Sequence, residues 1–128
     1  MKSYLLDTHT AMWFFNGDEK LSQTAKEIIC DFSNSIFISI ASAWEIAIKL
    51  NIGKLDIVSS TADFLRDAET NRIAILPINP SSLTLIETLP LIHRDPFDRL
   101  LIATAIAEKI TLITADINIP QYNVSHIW

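Results

Sequence analysis

One cysteine, two glycines and no apolar run of membrane-spanning length set the first limits on this 128-residue chain. A lone thiol, Cys30, rules out an internal disulfide framework, and its mostly apolar neighbours predict that it is buried. No apolar stretch approaches the roughly 20 residues needed to cross a bilayer. Asp7 interrupts the N-terminal MKSYLLDTHT before a signal-peptide pattern can develop. The expectation is a soluble cytoplasmic protein with no membrane partner. With 49% apolar residues and no low-complexity tract, a linker or disordered chain is excluded. The length suits one domain spanning residues 1–128, large enough to bury a substantial core.

Positive charge is also scarce: ten Lys and Arg face fifteen Asp and Glu, for a net charge of −5. That composition argues against a broad basic face of the kind that grips nucleic acid. It leaves room for a nuclease, because clustered site carboxylates lower the formal count and a bound metal reverses the local field. An RNA groove would have to draw on a few of Lys49, Lys54, Arg94 and Arg99, with Lys49 and Arg99 the first candidates.

Apolar periodicity and turn residues divide the chain into alternating elements. Strands are predicted at 3–6, 36–39, 73–76, 111–114 and 124–127, and helices at 8–15, 22–31, 41–50, 61–71, within 80–89, and at 96–109. In the second helix Ala25, Ile28, Ile29 and Phe32 fall at helical spacing. The alternation points to an α/β fold with a central parallel sheet flanked by helices on both faces. Sites in such sheets form beyond the C-terminal ends of the strands, where Asp7 and Asp116 both fall.

Four acids lie at or inside strongly apolar sequence: Asp7 in YLLDTHT, Glu45 in SAWEIAIKL, Asp98 in HRDPFDRLLIATA and Asp116 in LITAD. An unpaired carboxylate there costs on the order of several kcal/mol unless its charge is compensated. A divalent cation would compensate all four together. Each acid also has a plain structural reading. Asp7 could cap the helix that follows it. Asp95 would cap the next, with Pro96 at its first position and Asp98 in its favoured first turn. Glu45 could pair with Lys49 on an ordinary solvent face, although Ser42, Glu45 and Lys49 form one narrow polar stripe on an otherwise apolar helix. Asp116 could be a turn residue. His9, His93 and His126 share no metal-ligand spacing and read as packing or hydrogen-bonding groups. The run Trp13, Phe14, Phe15 reads as core or interface.

Taken in order, LLDTHT, SAWEIAIK, HRDPFDRLLIATA and LITAD resemble the four acidic motifs of the PIN-domain ribonucleases, and more narrowly the VapC-type toxins of toxin–antitoxin pairs. The resemblance runs from Met1 to Trp128. It implies a three-layer α/β PIN-like fold, a Mg2+ or Mn2+ site, and an endoribonuclease activity held in check by a small antitoxin. Its acidic positions fall on Asp7, Glu45, Asp98 and Asp116, and Asp95 matches an acid common just before the third. Asp7 and Asp98 would be the principal ligands, Glu45 direct or through water, and Asp116 would close the site or hold a second ion. Thr8, Thr114 and Asp95 would orient those groups or water. Where many relatives carry Arg before the last acid, this chain has Ala115. With so few basic residues, a homodimer would assemble the RNA groove from two protomers.

Three rivals fit less well. A haloacid-dehalogenase-type phosphotransferase would want a second Asp where His9 stands. A receiver domain would want a Lys where LITAD offers an acid. The third is a non-catalytic interaction module that keeps the acids without the chemistry.

Overall fold

The protein is described by a computed structural model over residues 2–128. Five short strands, β1 (Ser3–Leu6), β2 (Ser35–Ser39), β3 (Ala74–Leu76), β4 (Thr111–Ile113) and β5 (His126–Ile127), form one parallel sheet in the order β3-β2-β1-β4-β5. Between them run α1 (Thr8–Asn16), α2 (Gln23–Cys30), α3 (Ile40–Asn51), α4 (Thr61–Thr70), α5 (Pro80–Ile86) and α6 (Pro96–Glu108).

Side-chain alternation on the strands builds the three layers. Tyr4, Leu6, Ile36, Ile38 and Ile113 point to one face, where Ala11, Met12, Ala25, Ile29, Ala43, Ile46, Phe64 and Ala68 from α1 to α4 meet them. Leu5, Phe37, Leu76 and Leu112 point to the other, against Leu101, Ile102 and Ala105 of α6. A sheet covered on both faces needs continuous apolar strands, which is what YLL, IFI and TLI supply. Leu5, Leu6, Ile38, Leu112 and Ile113 lose essentially all exposure, each contributing about 1.5–3 kcal/mol of apolar burial.

The topology also places the site. The chain lays down β1, β2 and β3 in one direction, with α1 to α4 on one face. It then crosses to the opposite face through α5 and α6 and returns beside β1 as β4. The reversal between β1 and β4 opens a crevice at their C-terminal ends. Tyr4 to Leu6 pair with Thr111 to Ile113, so the residues following each strand emerge side by side. The Asp7 N–H donates to the Ile113 carbonyl at 3.2 Å.

Predicted and observed elements agree in kind and order, with ends differing by a few residues. The fifth strand is only two residues long, and a 3-10 turn at Ile119–Gln121 was not predicted. Cys30 is exposed, not buried as expected. In α2 the inward positions are Ala25 and Ile29, four apart, and Cys30 is turned about 100° further round the helix. Phe32 lies beyond the helix end, 78% exposed, with the Arg72 guanidinium 4.7 Å from its ring centroid. Among the described residues no helix is long and apolar enough to cross a membrane.

Candidate metal centre

Asp7 does two jobs at the end of β1. Its Oδ1 accepts the Thr10 N–H at 2.8 Å and caps α1, while Oδ2 accepts the Thr114 hydroxyl. The structural reading of this acid is therefore correct, and it leaves the carboxylate pinned in the crevice. Burial pushes the Asp7 carboxyl above its ordinary range, with the hydrogen bonds from Thr10 and Thr114 opposing the rise. Thr114 also accepts the Asp116 N–H at 3.0 Å, so one hydroxyl ties the acid after β1 to the acid after β4.

Glu45 comes from α3, which follows β2 and is capped by Ser39. The polar stripe is not a solvent face: Ser42 and Glu45 are 1% and 4% exposed. Glu45 Oε1 accepts from Thr8 Oγ1 at 2.7 Å, and Oε2 accepts from Lys49 Nζ at 2.7 Å. Thr8 Oγ1 also lies 2.9 Å from Ser42 Oγ. The Lys49 ammonium is held above its ordinary pKa, first by the hydrogen bond to Glu45 and then by the charges of Glu45, Asp95 and Asp98, against the opposing effect of burial.

Asp98 stands in the first turn of α6, behind a well-made helix start. Asp95 Oδ1 accepts the Phe97 and Asp98 N–H groups at 2.8 and 3.1 Å, and Pro96 occupies the first turn. The Asp98 carboxyl is raised to about 7. Burial is the largest cause and repulsion from Asp95 the next, His93 pulls the other way, and Asp7 and Glu45 add further repulsion. That coupling to Asp95, Asp7 and Glu45 is the electrostatic signature of acids meeting in one place. Asp95→Ala removes a cap and is expected to cost about 1 kcal/mol in urea unfolding. A loss of stability far below that would mean the cap contributes little to the start of α6.

The residue that sequence reasoning missed is His93. Its Nε2 lies 2.7 Å from Asp116 Oδ2 and 3.2 Å from Asp98 Oδ2, joining the last two acids. Ligand atoms of His93, Asp98 and Asp116 all fall within 4.8 Å of one another, the one such group of three among the described residues. Asp7 and Glu45 stand outside that triangle, Asp7 tied to the Asp116 N–H through Thr114 and Glu45 bonded to Thr8, the residue after Asp7. The donor set fits a hard divalent cation, because it is mainly carboxylate oxygen and Asp98 Oδ1 takes no hydrogen bond among the described residues. Only the position of His93 five residues before Asp98 could have drawn attention to it, and that spacing has no meaning until the loop is folded.

Arg99 requires a correction. Expected to face RNA, it is 9% exposed, and its guanidinium is spent on main-chain carbonyls. Nη1 donates to Pro90 O at 2.8 Å and to Tyr122 Oη at 3.3 Å, and Nη2 donates to Leu89 O at 3.2 Å. Its place one helical position after Asp98 turns it away from the crevice and into the protein. Arg94 is exposed, and with Ile86, Leu91, His93, Pro96 and the edge of Arg99 it lines a cleft of about 550 Å³ beside the acids.

A parallel sheet reversing at β1 and β4, with carboxylates gathered at that reversal, defines the class of α/β domain that carries an acidic centre at its switch point. The PIN domain family model matches residues 4–124, and the chain belongs to the PIN domain family. Ribonuclease VapC22 of Mycobacterium tuberculosis is 27% identical over 117 residues, covering 91% of this chain and 88% of the relative. VapBC2 from Rickettsia felis, in a crystal structure bound to a DNA fragment from its promoter, has a similar fold. Its TM-score is 0.71 at 16% identity, covering 98% of this chain and 97% of that one. A toxin–antitoxin complex from Klebsiella pneumoniae aligns with a TM-score of 0.56 at 19% identity, over 88% and 86% of the two chains.

Proposed function

We propose that this protein is a Mg2+- or Mn2+-dependent endoribonuclease, acting in the cytoplasm as the toxin of a toxin–antitoxin pair. The observation that carries this reading is a run of close polar contacts through the crevice, hydrogen bonds as far as His93 and a 3.2 Å ion-pair distance from there to Asp98. Thr114 links Asp7 to Asp116, and His93 links Asp116 to Asp98. Asp98 and Asp116 would hold the ion most closely, with Asp7 and Glu45 completing the negative field. Bound there, the ion would supply a water acidic enough to attack phosphorus at neutral pH and would offset charge on the leaving oxygen. Lys49, 34% exposed at its side chain, and the exposed Arg94 would be the cations that meet phosphates. RNA bases and backbone are accessible in loops and single strands, which is where a shallow crevice can reach them.

The partner surface has support of its own. Ile40, Trp44 and Ile48 of α3 and Ile52 just after it stand four residues apart and are 38%, 57%, 39% and 55% exposed. An apolar strip running beside Glu45 and Lys49 suits a protein partner that covers the acids, such as a small antitoxin. A homodimer would bring a second set of cations to a groove that one protomer furnishes sparsely.

The test is incubation with a mixed RNA pool in Mg2+, Mn2+ or EDTA, beside Asp7→Asn. Cleavage should require the metal, disappear in EDTA, and fall at least about a hundredfold in the variant. Metal binding without cleavage in any condition would favour the interaction-module reading.

A further inference from the structure

His93 touches both Asp98 and Asp116, so its simplest reading is that of a third metal ligand. The other edge of its ring argues otherwise. His93 Nδ1 accepts the backbone N–H of Asp95 at 3.2 Å. That N–H cannot turn away, because Asp95 precedes Pro96 and is held extended at φ −68°, ψ 119°, while its side chain caps α6. A ring nitrogen facing a fixed donor must carry the lone pair, which leaves the imidazole proton on Nε2. Nε2 then points a hydrogen, not a lone pair, at Asp116 Oδ2, with Asp98 Oδ2 close beside it. Ligation through Nε2 would shift the proton to Nδ1 and set two N–H groups against each other.

The backbone of His93 is pinned as firmly as its ring. Its N–H donates to Tyr122 Oη at 2.7 Å, and the neighbouring Ile92 N–H reaches the same oxygen at 3.1 Å. Tyr122 Oη donates in turn to Pro90 O at 2.7 Å. Arg99 holds the same loop from α6. The loop thus delivers one side chain, in one tautomer, to one place.

We propose that His93 is a positioning residue of the acidic centre: its Nε2–H donates to Asp116 Oδ2, with Asp98 Oδ2 3.2 Å from the same nitrogen, and so turns the other oxygens of both acids toward a cation, which the ring itself does not ligate. The inference rests on the metal-centre reading above and names a role within it. Hydrogen-bonded partners of metal ligands set ligand orientation, and their loss typically lowers metal affinity about 10–100-fold.

The experiment is pulsed electron paramagnetic resonance on Mn2+-loaded protein, with Mn2+ affinity measured on wild type, His93→Gln and His93→Ala. A glutamine amide can bring an N–H to about the same reach as Nε2. No imidazole nitrogen coupling is expected in the wild type. His93→Gln should bind Mn2+ within about threefold of wild type, and His93→Ala should lose 10–100-fold. A nitrogen coupling in wild type that vanishes in His93→Gln would make His93 a ligand and overturn the proposal, whether or not the alanine variant folds. Equal losses in both variants, or none in a folded His93→Ala, would overturn it as well. Failure of wild type to bind Mn2+ would instead bring down the metal-centre reading, and the positioning role with it.

Discussion

Asp98→Asn is expected to abolish RNA cleavage and, at the same time, to stabilise the metal-free protein at pH 8. Its carboxyl is raised from 3.8 to about 7 in the folded chain, burial being the main cause and Asp95 the next. Between those two pH values the folded state holds a proton that the unfolded chain has released. The folded state therefore binds more protons, and stability falls as pH rises from about 4 to about 7. Above that window the ionised carboxylate sits among Asp95, Asp7 and Glu45 at full cost, of the order of a few kcal/mol. An asparagine keeps the shape and sheds the charge. Unfolding midpoints at pH 5 and pH 8 should converge in the variant, and the pH 8 midpoint should exceed that of wild type. Millimolar Mg2+ should raise the wild-type midpoint much more than the variant's, because a ligand that binds only the folded state stabilises in proportion to its occupancy. Cleavage should fall at least about 10²–10³-fold, corresponding to several kcal/mol of lost transition-state stabilisation. Retained cleavage, or a variant less stable than wild type at pH 8, would show that Asp98 is a structural carboxylate.

The elements were legible because strand and helix periodicities differ sharply here. YLL, IFI and TLI are short, continuous and apolar, as strands buried on both faces must be, and Asp95-Pro96 and Asn16-Gly17 mark a helix start and a helix stop in residues whose backbone preferences leave little choice. Sequence order also suggested that Asp7 and Asp116 follow strands, and the β1–β4 pairing makes them neighbours. The burial of single positions was harder to read. Cys30 sits in apolar sequence but one position off the inward face of α2, and Phe32 keeps the helical spacing after the helix has ended. The part of the site that was illegible is the loop before α6. His93 reaches two acids only because Tyr122, almost thirty residues later, and Arg99, on the following helix, gather that loop by its carbonyls and amides. No local pattern encodes such a closure. The same blindness misplaced Arg99 itself, since a basic residue next to a site acid looks like a phosphate contact until the turn of the helix is known.

The corrected role of Arg99 makes the second large prediction: Arg99→Met should cost about 3 kcal/mol in urea unfolding, lowering the melting temperature by roughly 10 °C. The guanidinium has no carboxylate partner among its hydrogen bonds. Its stabilising work is done by charge-assisted donors to Pro90 O and Leu89 O and by the contact with Tyr122 Oη. Methionine fills much the same length with apolar surface, which recovers part of the packing. It leaves the Leu89 carbonyl without its donor in a closed environment, and an unmade buried hydrogen bond costs about 1–3 kcal/mol by itself. Arg99→Lys should recover only a minor share, because one ammonium cannot span carbonyls that a planar fork reaches together. A phosphate contact would behave in the opposite way. Removing it would leave stability within about 0.5 kcal/mol of wild type and raise KM for RNA instead. Below the variant's melting transition, the clamp reading predicts a reduced kcat with little change in KM, because loosening residues 89–93 releases His93 from the acids while Lys49, held on α3 by Glu45, stays as it was.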